Sequence, residues 1–350
     1  MNGSMNNKII VTVAIASCNN APYIERCVDS VIHQSYNNLE ILIVDDGSKD
    51  DTLDKIENFT KDSRLRIIKK ENGGLSSVRQ RALEEAKGDY ICFIDADDYL
   101  RNDYVKTMLS QIMSDNSDIC ICSTLFENED GSMNEKDTQA FAVIDRPSLK
   151  VTNDLLSSRN SNLSGLLSLS DSWNKMYRTS FLKEIGVQFN LPKGFNGSDL
   201  AFNHKVALFE PQYSFVSAVE YCHVLYKKSA VRRKKKELQQ GFQFIISDIT
   251  NEAYRANCID KLKGKIVSLH YYLLRYALQD RLNETDGLNL KIKEVCKSRN
   301  INTLFIEQNV YLINKVGFME TNSLKAFYML FHYMPFFLPL FFTIRKKLTE

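Results

Sequence analysis

The chain has 350 residues, 44% of them hydrophobic and 25% charged, with a formal net charge of +2. This composition excludes a disordered, collagen-like or disulfide-scaffold protein and leaves room for a catalytic domain with an appended unit. The near-zero net charge gives no footprint for nucleic acid, and no such partner is expected. The uneven charge is local, because KKSAVRRKKK (227 to 236) holds seven bases and no acid, so an anion is expected to meet it.

The eight cysteines are scattered, with no CxxC pair at zinc spacing, and are expected to be reduced core residues in a cytosolic compartment. The N-terminal MNGSMNNK has no basic stretch leading into an apolar core, so no secretory signal is expected.

In chain order, IIVTVAIAS (9 to 17) reads as a buried strand. Pro22 sits where an N1 proline could open a helix with Ile24, Val28, Val31 and Ile32 on one face. LEILIVDD is the next strand, TLDKIENF the next helix and RLRIIKK (64 to 70) a shorter strand. Gly73 and Gly74 then precede a helix, for which Gly88 can supply a left-handed stop. YICFID (90 to 95) repeats the pattern of an apolar strand ending in acid. This alternation implies an α/β protein with a mostly parallel sheet flanked by helices, which binds ligands beyond the carboxyl ends of its strands.

Regular alternation lapses between residues 123 and 230. Long helical patterns follow from about 237, with Leu269, Tyr272, Leu273, Tyr276 and Leu282 near one stripe. FYMLFHYMPFFLPLFFTIRKK (327 to 347) is interrupted by His332, Pro335 and Pro339. It suits either a segment in a bilayer interface or a buried helix pair.

Both acid clusters, Asp45-Asp46 and Asp95-Ala96-Asp97-Asp98, fall at the ends of expected strands. Like charges so close need a cation, a strong donor or a ligand to compensate them. Asp-x-Asp after a strand suits Mg2+ or Mn2+ bridging substrate phosphates, with strand alternation expected to project Asp95 and Asp97 to one side. A lone acid at a strand end equally well caps the next helix. Two clusters in order, with a Gly-Gly turn and Arg79 between them, favour a ligand site.

At this point the chain resembles the inverting family 2 glycosyltransferases of the bacterial surface-polysaccharide type. The resemblance lies in VAIASCNNAPYIERCVDSVIHQSYNNLEILIVDDGSKDDT and ENGGLSSVRQRALEEAKGDYICFIDADDYL, and more loosely in SWNKMYRTSFL and GFNGSDLAFNHKVAL. It implies a GT-A type nucleotide-binding domain with a C-terminal helical appendage. It also implies a donor site at Ala16, Ser17, Asn19, Asp46, Gly74, Arg79, Asp95 and Ala96, in which Asp46 meets a uracil-like base and Asp95 the ribose. Asp97 would hold the metal on the diphosphate, Asp199 would be the catalytic base, and Asp45 would orient the turn with Ser48. Trp173 and Lys175 fall in a block that lies near the acceptor in the family, and core packing is an equal reading for Trp173. His223, Arg232, Arg233 and Lys234 would meet the donor diphosphate or anionic lipid headgroups, although a solvated loop is the commonest meaning of such a run and a lone histidine is more often structural.

Three departures stand out. Ala16-Ser17-Cys18-Asn19 replaces the frequent Pro-x-Tyr-Asn, so the aromatic that could stack on the base is absent. Arg79-Gln80 replaces Arg-Asn, and Ser198-Asp199 replaces Glu-Asp. An N-cap role for Asp199 is compatible with its local sequence.

The expected organisation is a nucleotide-sugar-binding half (1 to 124), an acceptor-side half with the base and basic loop (125 to 236), and a helical region (237 to 350). The expected activity is metal-dependent sugar transfer with inversion from a nucleotide-diphospho-sugar, a UDP-sugar first, to a glycan or lipid-linked acceptor. Such an enzyme would build cell-surface polysaccharide or glycolipid at the inner face of the membrane. Two other readings are a non-catalytic glycan- or lipid-binding relative and a receiver-type signalling domain, which leaves over half of the chain without a role.

Overall fold

The structure is a computed structural model that describes residues 9–133, 148–150, 171–226 and 238–258. The chain divides into two compact units, residues 1–236 and 237–350.

The first unit is built on one sheet with the strand order β3-β2-β1-β4-β8-β6-β9-β5. Its parallel half comprises β1 (Val11–Ser17), β2 (Leu39–Asp45), β3 (Leu65–Lys69) and β4 (Tyr90–Asp95). Helices α1 (Ile24–Ile32), α2 (Thr52–Glu57) and α3 (Leu75–Glu85) connect these strands. β1, β2 and β4 are apolar almost throughout because both of their faces are covered. Val11, Val13 and Ile15 pack with Cys27, Val28 and Val31 of α1, whereas Ala14 packs with Val78, Ala82 and Leu83 of α3 on the opposite face.

The register decides where the acids lie. Ser17 is opposite Asp45, Ala16 is opposite Asp95, and Asp45 is opposite Lys69, so β1 to β4 end at one edge of the sheet. The remaining strands are mixed in direction. β5 (Tyr99–Leu100) and β7 (Ser148–Lys150) pair antiparallel with the long β9 (Gln212–Leu225). β6 (Ile119–Asn128) pairs parallel with β9, and β8 (Lys175–Arg178) runs antiparallel between β4 and β6. β6 passes through residues 124 and 125, so the expected boundary between the first two regions falls inside one strand. Helices α4 (Tyr104–Ser114), α5 (Thr179–Ile185) and α6 (Ser198–Ala207) complete the described part of this unit.

Local expectations are corrected at four places. Pro22 lies in a turn before α1, whose N-cap is Tyr23, so it does not open the helix. Gly88 is not a left-handed stop: α3 ends at the extended residue Ala86. A glycine is needed at 88 because a Cβ there would lie 2.6 Å from the Thr12 amide nitrogen. β4 ends at Asp95, and the Asp98 amide turns back to its carbonyl at 3.0 Å, so a turn places Asp97 where strand alternation was expected to. Asp199 lies within the first turn of α6, where Gly197 is the N-cap.

In the second unit α7 (Leu238–Arg255) buries Ile245, Ile249 and Ala253 along one stripe. The stripe at 269 to 282 and the aromatic segment at 327 to 347 lie outside the described residues. Among the described residues no helix is long and apolar enough to cross a membrane.

Candidate active site

The edge where β1, β2 and β4 end collects the candidate donor residues. Asp45 accepts the amide and hydroxyl of Ser48, which fixes the turn after β2. Asn19, at φ 54°, ties the end of β1 to the same turn: its amide donates to Ser48 Oγ and its Oδ1 accepts the Lys49 amide. Ala16 is half-buried between Val44 and Asp95 in register, Ala96 is buried, and Ser17 Oγ is buried without a hydrogen-bond partner among the described residues.

Asp46 is 2% exposed. Its Oδ1 accepts the Gly73 amide at 2.8 Å and Lys70 Nζ at 2.6 Å, and its Oδ2 accepts the Gly74 amide at 2.7 Å. The carboxylate therefore clamps the Gly-Gly turn. Gly74 sits at φ 85°, a left-handed conformation strained for any L side chain, and is the N-cap of α3. Where the family pattern has an aromatic, Cys18 is half-buried, with Asn72 Nδ2 donating to its sulfur at 3.2 Å. Burial, then Asp46 and Asp45, raise the pKa of this thiol.

Arg79 projects from α3 and is 1% exposed. Its Nη2 donates to Asp95 Oδ1 at 2.6 Å, and its Nη1 pairs with Asp199 Oδ1. One buried guanidinium thus joins the acid at the end of β4 to the expected base on α6. Asp199 Oδ2 also accepts the Ser172 amide at 3.2 Å.

The second acid cluster divides its work. Asp98 is fully buried and saturated: Oδ2 accepts Tyr221 Oη at 2.6 Å and His223 Nδ1 at 2.9 Å, and Oδ1 accepts the Val224 amide at 2.9 Å. Burial alone would lower the pKa of His223. The Asp98 carboxylate outweighs it and pushes the imidazole up to about 9, so the ring is a cation near neutral pH. That ring lies flat on Trp173, at 5.0 Å between centroids and 5° between planes.

Asp97 is the opposite case. Its backbone carbonyl accepts Arg26 Nη2 at 2.9 Å, but among the described residues no donor from another residue reaches its carboxylate. Burial, then repulsion from Asp98 and Asp95, push its pKa up to about 7. A cation beside it would relieve both the burial and the repulsion, so this carboxylate suits a divalent ion.

The acceptor-side candidates separate. Trp173 is buried among Tyr221, Phe126 and His223. Lys175 is fully buried, and its Nζ donates to the Asp171 carbonyl at 2.6 Å and Asn174 Oδ1 at 2.9 Å, so it braces the turn before β8. Arg232, Arg233 and Lys234 lie outside the described residues. Sequence reasoning left Lys70, Ser76, Asp98 and Tyr221 without roles. Lys70 and Asp98 stood beside recognised motifs, whereas nothing local marked Ser76 or Tyr221.

The parallel half-sheet, with acids and a Gly-Gly turn at its carboxyl edge, is the nucleotide-binding architecture of a GT-A fold. The profile of the family described as Glycosyl transferase family 2 matches residues 12–186, and the chain belongs to that family. It is 32% identical to EpsH of Bacillus subtilis (strain 168) over 230 residues, covering 65% of this chain and 64% of EpsH. It is 40% identical to a hyaluronan synthase of Pasteurella multocida over 131 residues, covering 37% of this chain and 14% of the synthase. The matched stretch is therefore less than two thirds of either relative. The crystal structure of S. aureus TarS 1–349 in complex with UDP-GlcNAc superposes with a TM-score of 0.63 at 22% identity, covering 93% of this chain and 87% of that one. That likeness is one of fold.

Proposed function

We propose that the chain transfers a sugar from a nucleoside-diphosphate sugar to an acceptor hydroxyl with inversion. The observation that carries this reading is the Asp95–Arg79–Asp199 bridge, which ties a carboxylate from a helix over one hundred residues away to the acid edge of the parallel sheet.

Asp199 takes the proton of the acceptor hydroxyl as that oxygen forms a bond to the anomeric carbon. The bond from that carbon to the diphosphate oxygen breaks on the opposite face, and this single displacement inverts the centre. Arg79 aims Asp199 and, through Asp95, links the base to the donor ribose. Asp46 supports the donor indirectly, by holding the Gly73-Gly74 turn. Asp97 would hold Mn2+ or Mg2+, which when bound neutralises the leaving diphosphate. An ion at this position would be held by few carboxylates, with substrate phosphates and water completing its shell. His223 is our candidate for a further positive charge facing that diphosphate.

A UDP-sugar is the favoured donor, supported by the UDP-GlcNAc complex of the TarS fold neighbour. Polysaccharide synthesis is the favoured setting, supported by the hyaluronan synthase relative. The acceptor we propose is a glycan or lipid-linked sugar at the cytoplasmic face of the membrane.

The test is thermal stabilisation of the full chain by UDP, dTDP, GDP and CDP, each with manganese or with chelator, beside Asp97→Ala. Stabilisation by one nucleotide that requires both metal and Asp97 is expected. A folded protein stabilised by none of the four would overturn the donor site and favour the non-catalytic binder.

A further inference from the structure

The helix end that carries Asp199 is not held by a cap. Its N-cap residue is Gly197, at φ 97°, and no side chain caps the helix. A lateral bond from α3 holds this end. Ser76 Oγ donates to Ser198 Oγ at 2.7 Å, and both residues are buried. Ser76 lies one turn before Arg79 on α3, and Ser198 directly precedes Asp199. Two adjacent rungs therefore join the helices: the hydroxyl pair Ser76–Ser198 and the ion pair Arg79–Asp199.

The two rungs restrain different motions. An ion pair fixes a distance but tolerates a range of angles, and a glycine before the helix adds no side-chain restraint on its first turn beyond the Ser172 amide bond to Asp199 Oδ2. A second bond one residue from the carboxylate restrains that turn further. A buried hydroxyl pair is also selective, because losing either partner leaves the other unsatisfied. We infer that Ser76 and Ser198 are positioning residues that aim the Asp199 carboxylate. This inference rests on the reading of Asp199 as the base. It explains how a neutral residue serves beside that base, since Ser198 reaches α3 through a hydrogen bond and adds no charge.

Among the described residues no side-chain hydrogen bond joins Ser76 or Ser198 to Asp46, Gly74 or Asp97, so loss of this rung is expected to act on turnover more than on donor binding. A displacement of about 1 Å of a reacting group can cost ~100-fold in rate.

The test compares Ser76→Ala, Ser198→Ala, the double variant and Ser198→Thr in the full chain. Two quantities are read: UDP release from UDP-N-acetylglucosamine with manganese, and hydrogen exchange of the peptide containing Ala201 in the ligand-free protein. Each alanine variant is expected to lower kcat by ~10- to 100-fold with KM for the UDP-sugar within about threefold. The double variant should be no worse than the poorer single one, because both remove the same bond. Exchange at Ala201, whose amide bonds the Gly197 carbonyl, should rise about tenfold, and Ser198→Thr should restore both readings. Unchanged exchange in both alanine variants overturns the inference, as does a kcat loss matched by KM and by thermal stability. Asp199→Asn in the same assay separates the two levels. If it turns over, the base reading falls; if it is inactive while Ser76→Ala and Ser198→Ala work at the wild-type rate, only the positioning role falls.

Discussion

The two sides of the sheet satisfy their buried polar groups over different distances along the chain. On the donor side, the partners of Asp46 are 24, 27 and 28 residues away, across one strand–helix–strand unit. Around β9, the partners of Asp98 are 123, 125 and 126 residues away, and the Ser76–Ser198 bond spans 122. The donor side is thus fixed by local folding. The proposed catalytic side exists only once β8, β9 and α6 have docked. Its candidate chemistry depends on the more remote and costlier set of contacts.

Breaking the longest connection should have the largest effect. Asp199→Asn should reduce turnover by ~100- to 10,000-fold while leaving UDP affinity nearly unchanged, read by steady-state kinetics beside calorimetric titration of UDP. Arg79→Leu leaves Asp95 and Asp199 facing each other without their buried cation. Denaturant unfolding should show a loss of about 3 to 5 kcal/mol.

Next comes the donor side. Gly74→Ala forces a Cβ onto a residue at φ 85° and should cost about 1 to 2 kcal/mol in the same unfolding assay, with weaker UDP binding as the Asp46 clamp distorts.

The pH dependence sharpens the contrast. His223 gains its partner only when β9 docks, and its folded pKa of about 9 lies above the ordinary imidazole value of 6.5. Its contribution to stability is therefore complete below about pH 6.5 and lost as pH rises through about 9. Thermal melts in chelator should show that loss in the wild type and a flatter profile in His223→Gln. The smallest effect belongs to the exposed Lys55–Glu25 pair between α2 and α1. Lys55→Ala should change stability by less than about 1 kcal/mol in denaturant unfolding.

The pattern of these effects follows what a linear sequence can encode. Periodicity and punctuation located β1 to β4, α1 to α3, the Gly73-Gly74 turn and the two acid clusters, because each depends on residues within a few positions of one another. The same reasoning misplaced Pro22, Gly88, Asp97 and Asp199 in their local frames. At each of these positions a tertiary contact or a turn overrode the local preference: Gly88 answers to the approach of Thr12, and Asp97 to the turn that ends β4. Asp98 was visible as an acid but not as the anchor of Tyr221 and His223, and Lys175 looked like an acceptor contact until its ammonium proved to be buried against Asp171 and Asn174.

By itself, the sequence determined the family, the parallel half of the sheet and which acids stand at its carboxyl edge, since hydrophobic pattern and turn chemistry act over short spans. Tertiary structure alone decided how those acids share the work. Asp46 holds a turn, Asp98 holds a histidine, and among the described residues no donor from another residue reaches the Asp97 carboxylate. Asp95 is joined to Asp199 through one arginine. A carboxylate's role is set by which donors and charges lie within a few ångströms of it, and in this chain many of those neighbours lie more than one hundred residues away.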